Sequence, residues 1–306
     1  MFKTINCEIC KKDFNQKQPN NYPICPSCRD QLVSRSCPNC NKVLIYKHPS
    51  GKRNADAIDS VCWDCNSNQI PNFLTEYQQN FLNGLMLGDG CIGYSCKKSK
   101  KPRFIQYPRL SVTRKAADKN YLEWQVEIFK DFYTNTVKER TVYDKRTDKN
   151  YYSCGIVSKT GKVFLDYRNK WYPNDKKIVP RDLVLTPLTL LIWFLDDGCA
   201  FKKTNSETVL RMKLSTDGFV FDDVKFLCDL LNDYLDLSDK VMKFNIYKND
   251  NHFTIQACST IATHAFISKI DDIFPEIMDR KRTWKSFDFS LALKGDGHYG
   301  KDTRKK

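Results

Sequence analysis

Eight cysteines fall before position 66, all in Cys-x-x-Cys pairs: Cys7 with Cys10, Cys25 with Cys28, Cys37 with Cys40, and Cys62 with Cys65. Fourteen residues separate the first pair from the second, and twenty-one the third from the fourth. Thiolates at these spacings suit tetrahedral zinc, because each pair forms a knuckle that supplies two ligands at about 2.3 Å. Pro26 and Pro38 sit inside knuckles and stiffen them. A lone Cys-x-x-Cys could be a redox dithiol. Four in series, without a thioredoxin-like βαβ pattern, read as two structural Zn2+ sites. Consecutive pairing gives two zinc ribbons and interleaved pairing a cross-braced unit; both remain open on spacing. His48 could replace a ligand, although a surface histidine is the simpler assignment. A segment this short buries too little apolar area to fold alone, so metal binding would be its folding energy.

A second set of residues is acidic. Gly88-Asp89-Gly90 ends a mostly apolar helical stretch from Glu76 to Leu87. Asp196-Asp197-Gly198 ends another, Leu188 to Leu195, with Pro187 at its start, where a missing N–H costs nothing. A carboxylate at a helix C-terminus faces the negative end of the helix dipole, and two close together also repel. Divalent cations reverse both penalties, and hard oxygen ligands are what magnesium prefers. Acids holding such ions can activate water and stabilise the leaving oxygen of a phosphodiester. One such ending needs no explanation beyond a helix-terminating turn; two in matching context do. Asp89 and Asp197 are the candidate acids. Asp196 is the register alternative to Asp197, and Gly198 directly after favours the latter.

The elements that position these acids recur. After each Asp-Gly step comes a strand pair, with Arg109 to Thr113 in the first copy and Arg211 to Ser215 in the second, both alternating polar and apolar. Amphipathic helices follow, roughly Ala117–Phe132 and Asp222–Leu235. Two further strands come next, about Val137–Val142 with Tyr151–Val157, then Lys240–Tyr247 with His252–Ala257. Helices Lys162–Trp171 and Thr260–Ile270 close the copies. The Asp-Gly steps lie 108 residues apart, one repeat of order αββαββα. The expected organisation is a zinc-binding segment at 1–70, a polar linker, half 1 at 75–180, half 2 at 181–290 and a flexible basic tail at 291–306.

The chain has 306 residues with 50 Lys and Arg against 36 Asp and Glu, a formal charge of +14. Each four-cysteine zinc site lowers that by two, to +10. The excess points to a polyanionic partner, most often nucleic acid. At 41% hydrophobic residues the chain can bury a core, which excludes wholesale disorder. No apolar run approaches the ~18–20 residues of a membrane span. The start MFKTINCEIC lacks an apolar signal region, so an intracellular protein of cytoplasm, nucleoid or organelle is expected rather than a secreted one.

The segment Leu82-Asn83-Gly84-Leu85-Met86-Leu87-Gly88-Asp89-Gly90 resembles the nine-residue LAGLIDADG motif. Leu190-Leu191-Ile192-Trp193-Phe194-Leu195-Asp196-Asp197-Gly198, preceded by Leu185-Thr186-Pro187-Leu188, resembles its second-copy variant. The chain is therefore similar, over about 75–285, to single-chain, two-motif LAGLIDADG homing endonucleases. That resemblance implies an α+β fold of two pseudo-symmetric halves. Their motif helices pack side by side, and two antiparallel sheets form a saddle over DNA. It also implies magnesium-dependent cleavage, with Asp89, Asp197, Gly88 and Asp196 at the metal ions. Ile192 and Asp196 stand where the first copy has Gly84 and Gly88, which departs from strict helix–helix symmetry. The family places a basic residue late in each half; Lys177 matches in the first, and Arg280, with Lys281 beside it, is the nearer match in the second. Such cations could steady charge developing on phosphate.

Sheet-borne recognition would use Arg109, Ser111 and Thr113 on one face, and Arg211, Lys213 and Ser215 on the other half's. Arginine to guanine is the commonest specific pair. The loop Lys97, Lys98, Ser99, Lys100, Lys101, Pro102, Arg103 is suited to phosphate contacts, as is a basic stretch through Lys138 and Arg140. Asp89 to Arg109 spans 20 residues and Asp197 to Arg211 spans 14, so asymmetric contacts and a long, non-palindromic double-stranded site are expected, bound by a monomer. Three functions compete: a site-specific DNA endonuclease of mobile-element type, an intron RNA-splicing maturase on the same fold, and a zinc-bearing DNA-binding regulator without cleavage. Both acidic positions are retained, which argues against the third. The zinc segment is an addition that the resemblance does not explain; DNA contact by it would lengthen the site.

Overall fold

The computed structural model describes residues 3–7, 9–16, 24–46, 49–62, 65, 70–94, 107–133, 136–203, 208–239, 242–250 and 252–290. His48, the basic loop from Lys97 to Arg103 and the tail 291–306 lie outside the described residues. The chain divides into two compact units, Met1–Ile70 and Pro71–Lys306.

The first unit repeats one device. Strands β1 (Lys3–Asn6) and β2 (Asp13–Gln16) form an antiparallel hairpin, followed by helix α1 (Pro26–Val33). Strands β3 (Ser34–Ser36) and β4 (Val43–Ile45) form a second hairpin, followed by helix α2 (Pro49–Ala57). Each hairpin turn is a cysteine knuckle. The Cys7 N–H donates to the Lys12 carbonyl and the Lys11 N–H to the Cys7 carbonyl, both at 2.9 Å. Cys37 with Lys42, and Asn41 with Cys37, repeat both bonds at the same length. Lys11 and Asn41 both adopt the left-handed region, at φ 59° and 60°, which closes the knuckle.

The second unit holds two copies of αββαββα. The first comprises α3 (Glu76–Leu87), β5 (Gly90–Gly93), β6 (Arg109–Lys115), α4 (Lys119–Ile128), β7 (Lys138–Asp144), β8 (Lys149–Val157) and α5 (Lys162–Trp171). The second comprises α6 (Pro187–Asp197), β9 (Gly198–Lys202), β10 (Leu210–Ser215), α7 (Phe221–Tyr234), β11 (Phe244–Asn249), β12 (His252–Ala257) and α8 (Thr260–Ile270). The sheets are antiparallel, in orders β5-β6-β8-β7 and β9-β10-β12-β11. This is the α+β repeat that the sequence indicated. One helix differs: the stretch expected at Ala117–Phe132 is α4 flanked by 3₁₀ turns at Ala116–Asp118 and Lys130–Phe132. Phe129 leaves the helical region at φ −109°, ψ 27°, and its ring meets Phe81 and Phe132 edge-on, so aromatic packing ends the helix early.

Helices α3 and α6 pack against each other along their length. Thr75 and Gln78 form a reciprocal capping box at the start of α3. Thr186 caps α6 just ahead of Pro187. Their contact needs small residues on α3. A Cβ on Gly84 would stand 2.6 Å from Ile192 Cβ and 2.8 Å from the Thr189 carbonyl oxygen, and one on Gly88 would stand 2.4 Å from Asp196 Cβ. Equivalent motif positions therefore face each other, glycine on one side and a full side chain on the other.

Candidate active site and metal centres

Both motif helices run directly into edge strands, and this fixes the acids. Asp89 is the single residue between Gly88, the C-cap of α3, and β5; Asp197 is the last residue of α6. Around them, two lysines occupy matching places. Lys177 Nζ donates to the carbonyls of Gly88 and Gly90 at 3.4 and 3.2 Å. Lys281 Nζ donates to the carbonyls of Phe194, Asp196 and Gly198 at 3.2, 3.2 and 3.1 Å. The counterpart of Lys177 is thus Lys281, not Arg280. Arg280 instead reaches back into the first half and pairs with Asp118. Both lysines are driven down by burial, Lys281 to about 8.

The side chain of Asp196 is taken up by the first half of the fold. Its carboxylate is fully buried. Its Oδ2 accepts the Asp89 backbone N–H at 3.1 Å, and Oδ1 accepts Tyr121 OH at 3.0 Å and Arg114 Nη1 at 2.6 Å. That leaves the backbone carbonyl of Asp196, like that of Gly88, as the atom presented beside its motif acid. Burial and the charge of Asp89 push Asp197 up to about 6, and burial pushes Asp196 up to about 7. Two motif carboxylates, one of them held above its ordinary range by burial and by the charge of the other, form an oxygen donor set that a hard divalent cation relieves, so Asp89 and Asp197 fit magnesium.

Arg114 was not among the sequence candidates. It follows Leu110 and Val112 on the inward face of β6 and is 5% exposed. Its Nη1 donates to Asp89 Oδ2 at 2.5 Å as well as to Asp196. Nη2 donates to the Leu195 carbonyl at 3.0 Å and Nε to Asp118 Oδ2 at 3.2 Å, while the guanidinium lies 4.8 Å from the centre of the Tyr121 ring. A cleft of about 550 Å3 opens over this group, walled by Thr113, Lys115, Tyr152, Arg280 and Lys281. The readable signal was the strand phase, since an arginine at an inward position demands a buried partner.

The recognition candidates fall on one face of each sheet. Arg109, Ser111 and Thr113 alternate with buried Leu110 and Val112; Arg211, Lys213 and Ser215 alternate with Leu210, Met212 and Leu214. Cross-strand register aligns Thr113 with Gly155 and Lys138, and Lys115 with Ser153 and Arg140. Lys138 and Arg140 therefore extend the face of Arg109, Ser111 and Thr113. Strand β7 and the first part of β8 are exposed on both faces, where Tyr143, Tyr151 and Tyr152 stand out.

In the first unit the cysteines group consecutively. Cys7, Cys10, Cys25 and Cys28 bring their sulfurs within 4.8 Å of one another, and so do Cys37, Cys40, Cys62 and Cys65. The Cys25 N–H donates to Cys7 Sγ at 3.3 Å and the Cys62 N–H to Cys37 Sγ at 3.1 Å. Burial raises the Cys7 thiol, but N–H donors from Cys25, Cys10 and Ile9 outweigh it and bring it to about 6. Burial and the neighbouring sulfurs push Cys28 up to about 12. Thiols this close cannot all ionise without a cation, and backbone donors to sulfur orient ligands as a zinc site requires.

The LAGLIDADG DNA endonuclease family matches residues 79–261. An uncharacterized protein of Methanocaldococcus jannaschii is 28% identical over 214 residues, 69% of this chain and 75% of its own length. The Wickerhamomyces canadensis protein named "Probable intron-encoded endonuclease 1" is 29% identical over 56% of this chain and 71% of its own. The solved homing endonuclease I-WcaI, bound to its DNA recognition sequence, superposes with a TM-score of 0.59 at 22% identity, covering 71% of this chain and 90% of that one. With two motif helices in contact at Gly84 and Gly88, each leading to an acid and an edge strand, the chain belongs to the LAGLIDADG DNA endonuclease family.

Proposed function

We propose that the protein is a site-specific double-strand DNA endonuclease in which Asp89 and Asp197 hold Mg2+ at two centres. The observation that carries this reading is the doubled arrangement of a motif acid, a buried lysine on the carbonyls beside it, and a polar strand face leading away. The bound cation supplies Lewis acidity to a phosphodiester. Asp89 and Asp197 bind it with the carbonyls of Gly88 and Asp196 beside them. Lys177 and Lys281 steady the negative charge that develops on phosphate. Arg109, Ser111, Thr113, Arg211, Lys213 and Ser215 read the grooves, while Lys138 and Arg140 hold backbone. The faces differ residue for residue, which suits a non-palindromic site. The two cysteine clusters hold structural Zn2+, and among the described residues no helix is long and apolar enough to cross a membrane.

The test is magnesium-dependent cleavage of a randomised double-stranded library, run beside Asp89→Asn and Asp197→Asn. Defined double-strand cuts are expected, lost by about 100-fold or more in each variant. Tight specific DNA binding without cuts would identify a regulator. Nanomolar binding to structured intron RNA without DNA cleavage would identify a maturase.

A further inference from the structure

The two centres share one plan, and their largest difference lies on the second strand of each half. Register aligns Gly90 with Val112 and Gly198 with Leu214, so the position of Arg114 in the first half corresponds to Thr216 in the second. Thr216 takes no part in the site; its hydroxyl donates to the Phe253 carbonyl at 2.6 Å. Facing motif positions likewise carry Gly88 on one side and Asp196 on the other. The Arg114–Asp196 pair thus occurs once, at the join of the halves, and touches one motif acid. One Asp89 oxygen is bonded to a buried guanidinium at 2.5 Å, and that guanidinium is locked by Asp196, Asp118 and the Leu195 carbonyl.

We propose that Arg114 is a positioning residue that makes the centres unequal: Asp197 takes a divalent cation more tightly than Asp89, and the DNA strand served by Asp197 is cut first. The guanidinium occupies one of the Asp89 oxygens that would bind a cation, and its own bonds to Asp196 and Asp118 keep it from swinging away. Arg114, a single positive charge shared among Asp89, Asp118 and Asp196, offsets part of their charge and draws Asp89 toward the buried cluster. Asp89 itself is one-third exposed on the cleft, and the loss of one of its two oxygens to a guanidinium is expected to weaken cation affinity there by about tenfold.

The inference rests on the nuclease reading, and two measurements separate their failures. The first uses no DNA: Tb3+ luminescence titration of Asp89→Asn and Asp197→Asn, with the double variant Asp89→Asn/Asp197→Asn as blank. Asp89→Asn, which keeps the Asp197 centre, should bind Tb3+ about tenfold more tightly than Asp197→Asn; equal affinities overturn the inference. In an Arg114→Gln/Asp196→Asn background, which neutralises both members of the buried pair, the difference should fall to about one. The second labels each strand of a target recovered from the library. A nicked intermediate cut on one strand should accumulate with the parent protein and vanish in the Arg114→Gln/Asp196→Asn background. Both strands cut at one rate by the parent, or an unchanged bias in that background, overturns the inference and leaves the nuclease standing. No cleavage of any DNA overturns the nuclease reading itself.

Discussion

Gly84 and Ile192 occupy the same motif position on opposing helices, and a Cβ on Gly84 would sit 2.6 Å from Ile192 Cβ. The obstructing atoms are a branched side chain and the Thr189 backbone carbonyl, neither of which can swing away. Gly84→Ala should therefore lower stability by about 2–3 kcal/mol in urea denaturation. Gly93→Ala, where a Cβ would meet nothing within 4 Å, is the control and should change stability by less than about 1 kcal/mol. Similar losses at both positions would mean that helix contact is not the constraint.

Lys281 and Arg280 are neighbours in sequence but serve different partners. Lys281→Met and Lys177→Met should each reduce single-turnover cleavage by about 100-fold with little change in DNA affinity, because both ammonium groups stand at the motif carbonyls. Arg280→Met should cost less than about tenfold, since Arg280 ends on Asp118. The reverse order of effects would return Arg280 to the centre.

The acidic steps, the strands beside them and the repeat were legible because a helix period that stops at Asp-Gly and a strand period that follows are both local patterns. The partner of a buried group is not local. Whether Arg280 or Lys281 reaches the carbonyls of α6 depends on a 3₁₀ stretch from Glu276 to Lys281 whose phase cannot be read from residue type. Asp196 stood as the register alternative to Asp197, and its carboxylate faces Arg114 and Tyr121, eighty-two and seventy-five residues away, partners that no local pattern announces. The zinc spacing allowed two pairings; the hairpin-and-helix repeat of the first unit selects the consecutive one, which carries Cys7 with Cys25 and Cys37 with Cys62.

Asp197 gives a pH-dependent signature. Its pKa of about 6 in the fold exceeds the ordinary 3.8, so the folded chain holds this proton more firmly than the unfolded chain does. Stability from this group is therefore lost as pH rises through that interval. In chelator, Asp197→Asn should be more stable than the parent by on the order of 1–2 kcal/mol at pH 8, with the gain gone near pH 4. Denaturant midpoints at the two pH values measure this. A gain that persists at pH 4 would assign it to something other than the carboxylate charge.

The cysteine clusters predict a stoichiometry. Purified protein should release two zinc ions per chain to a colorimetric chelator after thiol modification. Cys37→Ser should release one and unfold its own hairpin, seen as lost protection of amides around β3 and β4 in hydrogen exchange. Two ions retained in that variant would mean that the clusters do not act as separate sites.

Along β6 and β10, alternate residues answer to different masters. Leu110, Val112, Leu210, Met212 and Leu214 are all but inaccessible, whereas the residues between them face outward. Outward substitutions on such a strand cost about 0.5 kcal/mol or less. With the outward residues in the DNA-reading role proposed for them, a lineage of such proteins can drift that set to follow a changing target while the inward set keeps helix, acid and strand in place. Novelty in recognition comes cheaply to this fold, because the pleat of a single strand keeps it apart from the machinery that cuts.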